Sequence, residues 1–313
     1  MDPALATNLL GIEMPSPILL AAGTAGVLDE MSAQLDLSRV GAVVTKSITP
    51  EPREGNAPWR VHPTPTGMLN AVGLANPGLD TFLEKYAPRI VSMPCPVIGS
   101  IAGFSVEDYV MVAGAFDALD AMPAVEINVS CPNVHGGGDF ASPPETLGAL
   151  TAELRKTLKR TKLIVKLPPI TTPAPHSCVE LARAAIDAGA DALTLCNTTP
   201  AMMIDVKTRR PVLGNGAGGL SGPAIHAPVV KIVHDVYRQV ARERNVPIIA
   251  LGGVVNWKDA AEFILAGASA VAVGTTLFAD PQAPVKIARG LAKWTAWQGV
   301  ATLGDLTGQI VST

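Results

Sequence analysis

Cys131 stands in "INVSCPNVHGGGD" (residues 127–139), after an apolar run and before three glycines. A thiol on such a segment can act as a nucleophile or as a base. It can equally be a small core residue, a metal ligand or half of a disulfide. Two lysines, Lys46 in "AVVTKS" and Lys166 in "LIVKLPP", lie in otherwise apolar runs. A buried ammonium is costly unless an anion or a polar ligand meets it. Asn70, Asn128, Asn133 and Asn197 carry amides that both donate and accept, which suits a flat ring with alternating N–H and C=O groups. "ALGGV" (250–254) and "AVGTT" (272–276) bring Gly252, Gly253, Gly274 and Thr275, whose backbone N–H groups and hydroxyl suit a phosphate. Taken singly, the asparagines are equally turn or cap residues and the glycines tight turns. His135 lies four residues from Cys131 and can simply line the loop.

The elements that must position these residues recur along the chain. Eight short β-branched or apolar runs occur: 17–23, 42–47, 96–103, 124–131, 163–169, 192–198, 247–254 and 270–276. Near-continuous apolar strands suit a parallel sheet covered on both faces. Helical patterns lie between many of them, at 105–119, 144–160, 177–190 and 256–268. Ser105 and Asn256 are N-cap candidates, and Gly189 and Gly267 are placed for left-handed C-caps. Eight β/α units predict an α/β fold, a (β/α)8 TIM barrel, in preference to an open doubly wound sheet, since no G-x-G-x-x-G opens the first unit. Residues 1–16 are expected to form a hairpin that plugs the bottom. The long connections 48–95, 132–144 and 199–223 are expected at the C-terminal mouth, where barrel active sites form. In this register Lys46, Ser47, Asn128, Cys131, Lys166, Asn197, Thr198 and both glycine motifs collect at that mouth. Two converging lysines there suit a carboxylate or the negative charge of a reduced flavin.

Composition narrows the function classes. The 313 residues are 48% hydrophobic and 16% charged, with a net charge of −3, which does not resemble the basic face of a nucleic-acid binder. The mean hydropathy is +0.31, yet no apolar stretch approaches the ~20 residues of a spanning helix. The N-terminus has no basic segment followed by a long apolar core, so no export signal and a cytoplasmic location are expected. The four cysteines, Cys95, Cys131, Cys178 and Cys196, form no C-x-x-C pair and lack zinc-finger spacing. Reduced thiols, no metal site and no iron–sulfur cluster are expected in this chain.

The segments "TKSITPEPREGN" (45–56), "GMLNAVGLANPG" (67–78), "NVSCPN" (128–133), "TLCNTT" (194–199), "IDVKTRRPVLGNGAGGLSGPAI" (204–225), "IIALGGV" (248–254) and "AVGTTLF" (272–278) resemble dihydroorotate dehydrogenase. They span almost the whole chain in the family's order. The 205–211 and 214–222 segments look most like the class 1B catalytic subunit. The resemblance implies a single FMN-binding barrel domain over residues 1–313. It implies oxidation of (S)-dihydroorotate to orotate in pyrimidine (UMP) biosynthesis, with Cys131 taking the C5 proton and the C6 hydride passing to N5 of FMN. It places Lys46, Asn70, Asn128, Asn133, Asn197 and Thr198 around the pyrimidine, with the main chain of Ala71, Val72, Gly73 and Leu74. Around FMN it places Ala22, Gly23, Lys46, Ser47, Ser100, Asn128, Lys166, Cys196, Gly222, Gly252, Gly253, Gly274 and Thr275, with Lys166 near the flavin's pyrimidine end. Electrons are then expected to reach NAD through a partner subunit carrying FAD and a [2Fe-2S] cluster, in a heterotetramer built on a homodimer of this chain. Three features depart from the family pattern: Ser100 where asparagine is common, Cys196 where isoleucine is more usual, and the proline-rich 166–175 segment. A class 1A enzyme that reduces fumarate, a related FMN enzyme acting on dihydropyrimidines, and a non-enzymatic phosphate-binding barrel are the alternatives.

Overall fold

The eight apolar runs become short parallel strands because their side chains are buried on both faces. They are β1 (Ile18–Leu20), β2 (Ala42–Val44), β3 (Val97–Ile101), β4 (Ala124–Asn128), β5 (Lys162–Leu167), β6 (Ala192–Leu195), β7 (Ile248–Leu251) and β8 (Ala270–Val273). The computed structural model describes residues 2–129, 143–170 and 175–311. Each strand pairs with the next in chain order, and β8 returns to β1, so the sheet closes into a (β/α)8 barrel. Closure leaves no unpaired strand edge within the barrel.

The expected helices form at Val106–Asp117, Pro144–Thr157, Cys178–Asp187 and Trp257–Ala266. Their ends follow the local chemistry. The Ser105 hydroxyl accepts from the Asp108 N–H, and Asn256 makes a reciprocal capping box with Asp259. Ser177 and Glu180 make another. The chain leaves the last two helices through Gly189 and Gly267, at φ +101° and +120°, a conformation that a side chain would strain.

Two cores result. The outer one fills the space between strands and helices, with Phe82, Tyr109, Phe116 and Phe263 among its largest members. The inner one lies inside the barrel and is built from small and branched residues, including Leu19, Ala42, Ala124, Ile164, Ala192, Ile249 and Ala270. The N-terminal hairpin, Thr7–Leu9 paired with Ile12–Met14, adds Leu9, Ile12 and Met14 to this inner core and closes the bottom as expected.

The long connections hold structure that the sequence did not announce. Val61–Thr64 and Gly67–Asn70 form a hairpin, and Gly67–Asn70 also pairs with Gly218–Ser221. Thr199–Ala201 completes a four-stranded antiparallel sheet drawn from two insertions far apart in sequence. Its close approach requires glycine: a Cβ on Gly67 would lie 2.0 Å from the Ser221 carbonyl oxygen. The third long connection, 132–144, lies outside the described residues except for its last two positions.

Candidate active site at the barrel mouth

One cavity opens over the carboxyl ends of the strands. It is lined by residues that follow or end seven of the eight, all but β3, and is roofed by the inserted sheet. This is where a (β/α)8 barrel presents reactive groups, because each strand end projects its last side chains toward a common axis.

On one side of the mouth a polar chain runs across four strands. The Asn197 amide donates to Asn128 Oδ1 at 3.1 Å, and the Asn128 amide reaches Ser47 Oγ at 3.5 Å. Ser47 Oγ and Ser100 Oγ are 2.8 Å apart. Asn128 is held from behind, where its carbonyl accepts from the Tyr109 hydroxyl at 2.8 Å. Asn197 Oδ1 accepts from the Thr198 N–H at 2.8 Å. Asn70 reaches in from the roof, its amide donating to the Gly219 carbonyl at 3.3 Å. Amides fixed in this way present a defined pattern of donors and acceptors to a planar polar ring.

Two ammonium groups reach the same cavity. Lys166 is 5% exposed and stands in register with Asn128 on β4 and Thr194 on β6. Its Nζ lies 3.7 Å from the buried Glu126 carboxylate. Lys46 passes close to Gly23, where a Cβ would come within 3.2 Å of Lys46 Nζ. Gly23, at φ +78°, therefore leaves the room that this lysine occupies.

The opposite side is a glycine cradle. Gly222, Gly252, Gly253, Gly274 and Thr275 all line the cavity. A Cβ on Gly253 would meet the Gly222 carbonyl oxygen at 2.7 Å, and one on Gly252 would meet Val229 at 2.9 Å. A Cβ on Gly274 would find nothing nearer than 3.7 Å. The first two glycines are required by packing, whereas a Cβ on Gly274 would make only ordinary contacts with Leu251, Ala21 and Thr24. His226 fixes the Gly252 turn, with Nδ1 2.9 Å from the Gly252 carbonyl and Nε2 3.0 Å from Glu262. The helix His226–Val236 begins beside this cradle, behind Ile225 at the cavity wall.

Cys95 and Cys196 are not activated. Burial pushes the Cys196 thiol well above its usual range, the neighbouring Cys178 adds to the rise, and Lys166 opposes it. Burial likewise raises Cys95 to about 11, against a backbone hydrogen bond from Val43. All three are free thiols inside the protein. Among the described residues no group of three His, Cys, Asp or Glu side chains could hold a metal.

The cavity brings together Ala22, Gly23, Lys46, Ser47, Asn70, Val72, Gly73, Leu74, Asn128, Lys166, Cys196, Asn197 and Thr198 with the glycine cradle. Two residues expected there stand back from it. Ser100 is fully buried behind Ser47. Ala71 is fully buried too, and its N–H and carbonyl are engaged by Arg60 and Asn56. Cys131 and Asn133 lie outside the described residues, as does His135. Sequence reasoning missed Val61 and Met68, in the inserted hairpin, and Phe278, in the short helix Thr276–Ala279, as lining residues, since isolated apolar residues outside the barrel strands carry no signal of where they fold. It also missed Glu126, concealed in an apolar strand.

Comparison with known proteins agrees with this arrangement. The dihydroorotate dehydrogenase family profile matches residues 4–294. The chain is 42% identical over 311 residues to the "Dihydroorotate dehydrogenase B (NAD(+)), catalytic subunit" of Trichlorobacter lovleyi, covering 99% of each chain. The protein of the same name from Desulforudis audaxviator is 43% identical, with 98% of each chain covered. The solved structure of DHODH from Eimeria tenella in complex with ferulenol superposes with a TM-score of 0.79 at 24% identity, covering 98% of this chain and 88% of that one, and so shares the fold. With a family match over nearly its whole length and full-length relatives above 40% identity, this chain belongs to the dihydroorotate dehydrogenase family.

Proposed function

We propose that this chain oxidises (S)-dihydroorotate to orotate in pyrimidine biosynthesis, as the catalytic subunit of a B-type, NAD-linked enzyme. One observation carries the site assignment. An amide chain, two lysines and a glycine cradle, each contributed by different strand ends, converge on one cavity. The names of the full-length relatives support the substrate and the NAD linkage.

The residues fit FMN. The cradle at Gly222, Gly252, Gly253 and Gly274 suits its phosphate, with the space at Gly274 kept free of a Cβ. Gly23, Ser47, Asn128 and Lys166 suit its ring. When bound, FMN would supply the two-electron acceptor that no protein side chain provides.

The protein's own groups do the remainder. Lys46, Asn70, Asn128, Asn133, Asn197 and Thr198 bind and orient the substrate's ring and carboxylate. Cys131 holds the position of the base for the C5 proton; it lies outside the described residues, and its role rests on the "NVSCPN" motif. A thiol is a serviceable base because its pKa of ~8.5 is lowered by nearby cations. The oxyanion that develops at the adjacent carbonyl is met by fixed amide donors and lysine charge, which act strongly in a site shielded from water.

Residues 1–313 act as one barrel domain in this scheme. Electrons leave through a partner subunit bearing FAD and a [2Fe-2S] cluster, in a heterotetramer built on a homodimer of this chain, and a cytoplasmic location accords with that assembly. Among the described residues no helix is long and apolar enough to cross a membrane.

A visible spectrum taken before and after anaerobic addition of dihydroorotate tests the assignment. A yellow protein that bleaches is expected, with NAD reduction only when the partner is present. A protein that takes up no FMN overturns the cofactor, and a yellow protein that does not bleach overturns the substrate. Cys131→Ala is expected to retain FMN and lose nearly all turnover, with Cys131→Ser keeping some at high pH. Full turnover in the alanine variant would remove the thiol from the mechanism.

A further inference from the structure

The inner core of the barrel is apolar up to the level of Ala124, Ile164 and Ala192. Directly above that level, and below the mouth cavity, sits one carboxylate. Glu126 is 2% exposed and points into the barrel, since its neighbours on β4 at that spacing are Ala124 in the inner core and Asn128 at the cavity. Its Oε2 accepts a 2.7 Å hydrogen bond from the Thr194 hydroxyl. Its Oε1 has no hydrogen-bond partner among the described residues. The nearest cation is Lys166, whose Nζ is 3.7 Å from that same oxygen.

This geometry is poor for stability and informative for function. A buried ion pair offsets its desolvation only when its hydrogen bonds are complete, and apolar residues of similar volume often do better. A charge-assisted N–H···O contact closes to about 2.7–2.9 Å. The pair here stops short of that contact, with one carboxylate oxygen tied to Thr194 and the other facing the ammonium across a gap. Lys166 therefore stands between a carboxylate below and the cavity above, and belongs wholly to neither.

We propose that Glu126 is a positioning residue. It holds the Lys166 ammonium at the floor of the cavity and offsets part of its charge, and so sets the reduction potential of the flavin that the proposed function puts there. Without the carboxylate, Lys166 would be an uncompensated cation in a low-dielectric site and would favour the more negative, reduced ring. With it, the potential is held lower, so that electrons are passed onward more readily. The inference rests on the functional reading above for the flavin alone and does not depend on the substrate.

The test is equilibrium reduction of the FMN-loaded chain against a reference dye of known potential, comparing wild type with Glu126→Gln. The glutamine has the same shape, keeps an oxygen for Thr194 and turns a donor toward Lys166. The equilibrium should move toward reduced flavin by about tenfold, which for a two-electron couple is about 30 mV. Glu126→Asp keeps the charge but withdraws it by one methylene, and should move the equilibrium the same way by about threefold; it serves if the glutamine variant does not fold. In a Lys166→Met background the effect of Glu126→Gln should fall to less than half. An unchanged or lowered potential in a yellow Glu126 variant overturns the inference. An effect that persists in full without Lys166 overturns the positioning role. A wild-type chain that takes up no FMN overturns the functional reading and this inference together.

Discussion

The two ends of the barrel use the same kinds of side chain to opposite purposes. At the bottom, charged groups are spent on the protein's own backbone. Arg160 donates to the carbonyls of Asp117, Leu119, Asp120 and Met122. Asp117 accepts from the N–H groups of Lys159, Arg160 and Thr161 at 2.8–3.1 Å. Asp191 accepts from the Leu163 N–H and from Arg155. The hairpin residues Leu9, Ile12 and Met14 then seal the interior. At the mouth, Asn128, Asn197, Lys46 and Lys166 line a cavity, and the Glu126 carboxylate is held 3.7 Å from Lys166. Polar groups spent on the backbone away from any cavity stabilise a fold, whereas polar groups that line an open cavity are also placed to meet a ligand.

That contrast can be broken first at the mouth. Gly274→Ala should weaken FMN binding about tenfold to hundredfold, because its methyl group enters the cavity a ligand needs, an overpacking effect. Its Cβ would meet no protein atom nearer than 3.7 Å, so the melting temperature of the FMN-free chain should barely move. Titration of FMN fluorescence together with thermal unfolding checks both halves. A large loss of stability would show that the mouth, like the bottom, serves the fold.

A smaller effect is expected where the inserted sheet touches the mouth. A Cβ on Gly219 would lie 1.9 Å from Thr198 Oγ1. Gly219→Ala must displace Thr198, whose Cβ would lie only 2.6 Å away, and the KM for dihydroorotate should rise about fivefold to tenfold with a lesser change in kcat, the signature of lost ground-state binding. Steady-state kinetics across substrate concentration separates the two. A fall in kcat alone would mean that Thr198 acts in the chemical step.

The same division explains what the sequence made legible. The barrel strands were readable because burial on both faces leaves an unbroken apolar run, as in "AVEINV" and "LIVKL". The helix ends were readable at Ser105, Asn256, Gly189 and Gly267, since caps are local chemistry. The inserted sheet was not. Its strands are three or four residues long, and the pairing of Gly67–Asn70 with Gly218–Ser221 leaves no periodic trace in either segment. Glu126 was overlooked for a related reason: in sequence it is one acidic residue in an apolar run, and only the closed barrel sets it beneath Lys166. Ser100 is expected at a flavin, and its hydroxyl lies 2.8 Å from that of Ser47 in the wall of the cavity. The glycines and lysines were legible because both are conspicuous at the end of a strand.

The bottom of the barrel gives the smallest expected effect and the complementary one. Burial pushes the Asp117 carboxyl up, but the Thr161, Lys159 and Arg160 donors outweigh it and hold the group at about 2. A carboxyl whose folded value lies below its unfolded ~3.9 stabilises the fold above that unfolded value. The contribution is lost as pH falls through about 4 toward about 2. Asp117→Asn should therefore destabilise the chain at pH 7 by about 1 kcal/mol, a small effect because water screens this partly exposed group. Urea unfolding of both proteins between pH 7 and pH 2.5 should show the difference shrinking across the acid end, while FMN affinity at neutral pH stays the same. A difference that does not change with pH would mean that the asparagine acts through shape and not charge. A loss of FMN affinity would mean that the two ends of the barrel are coupled and that the contrast between them is false.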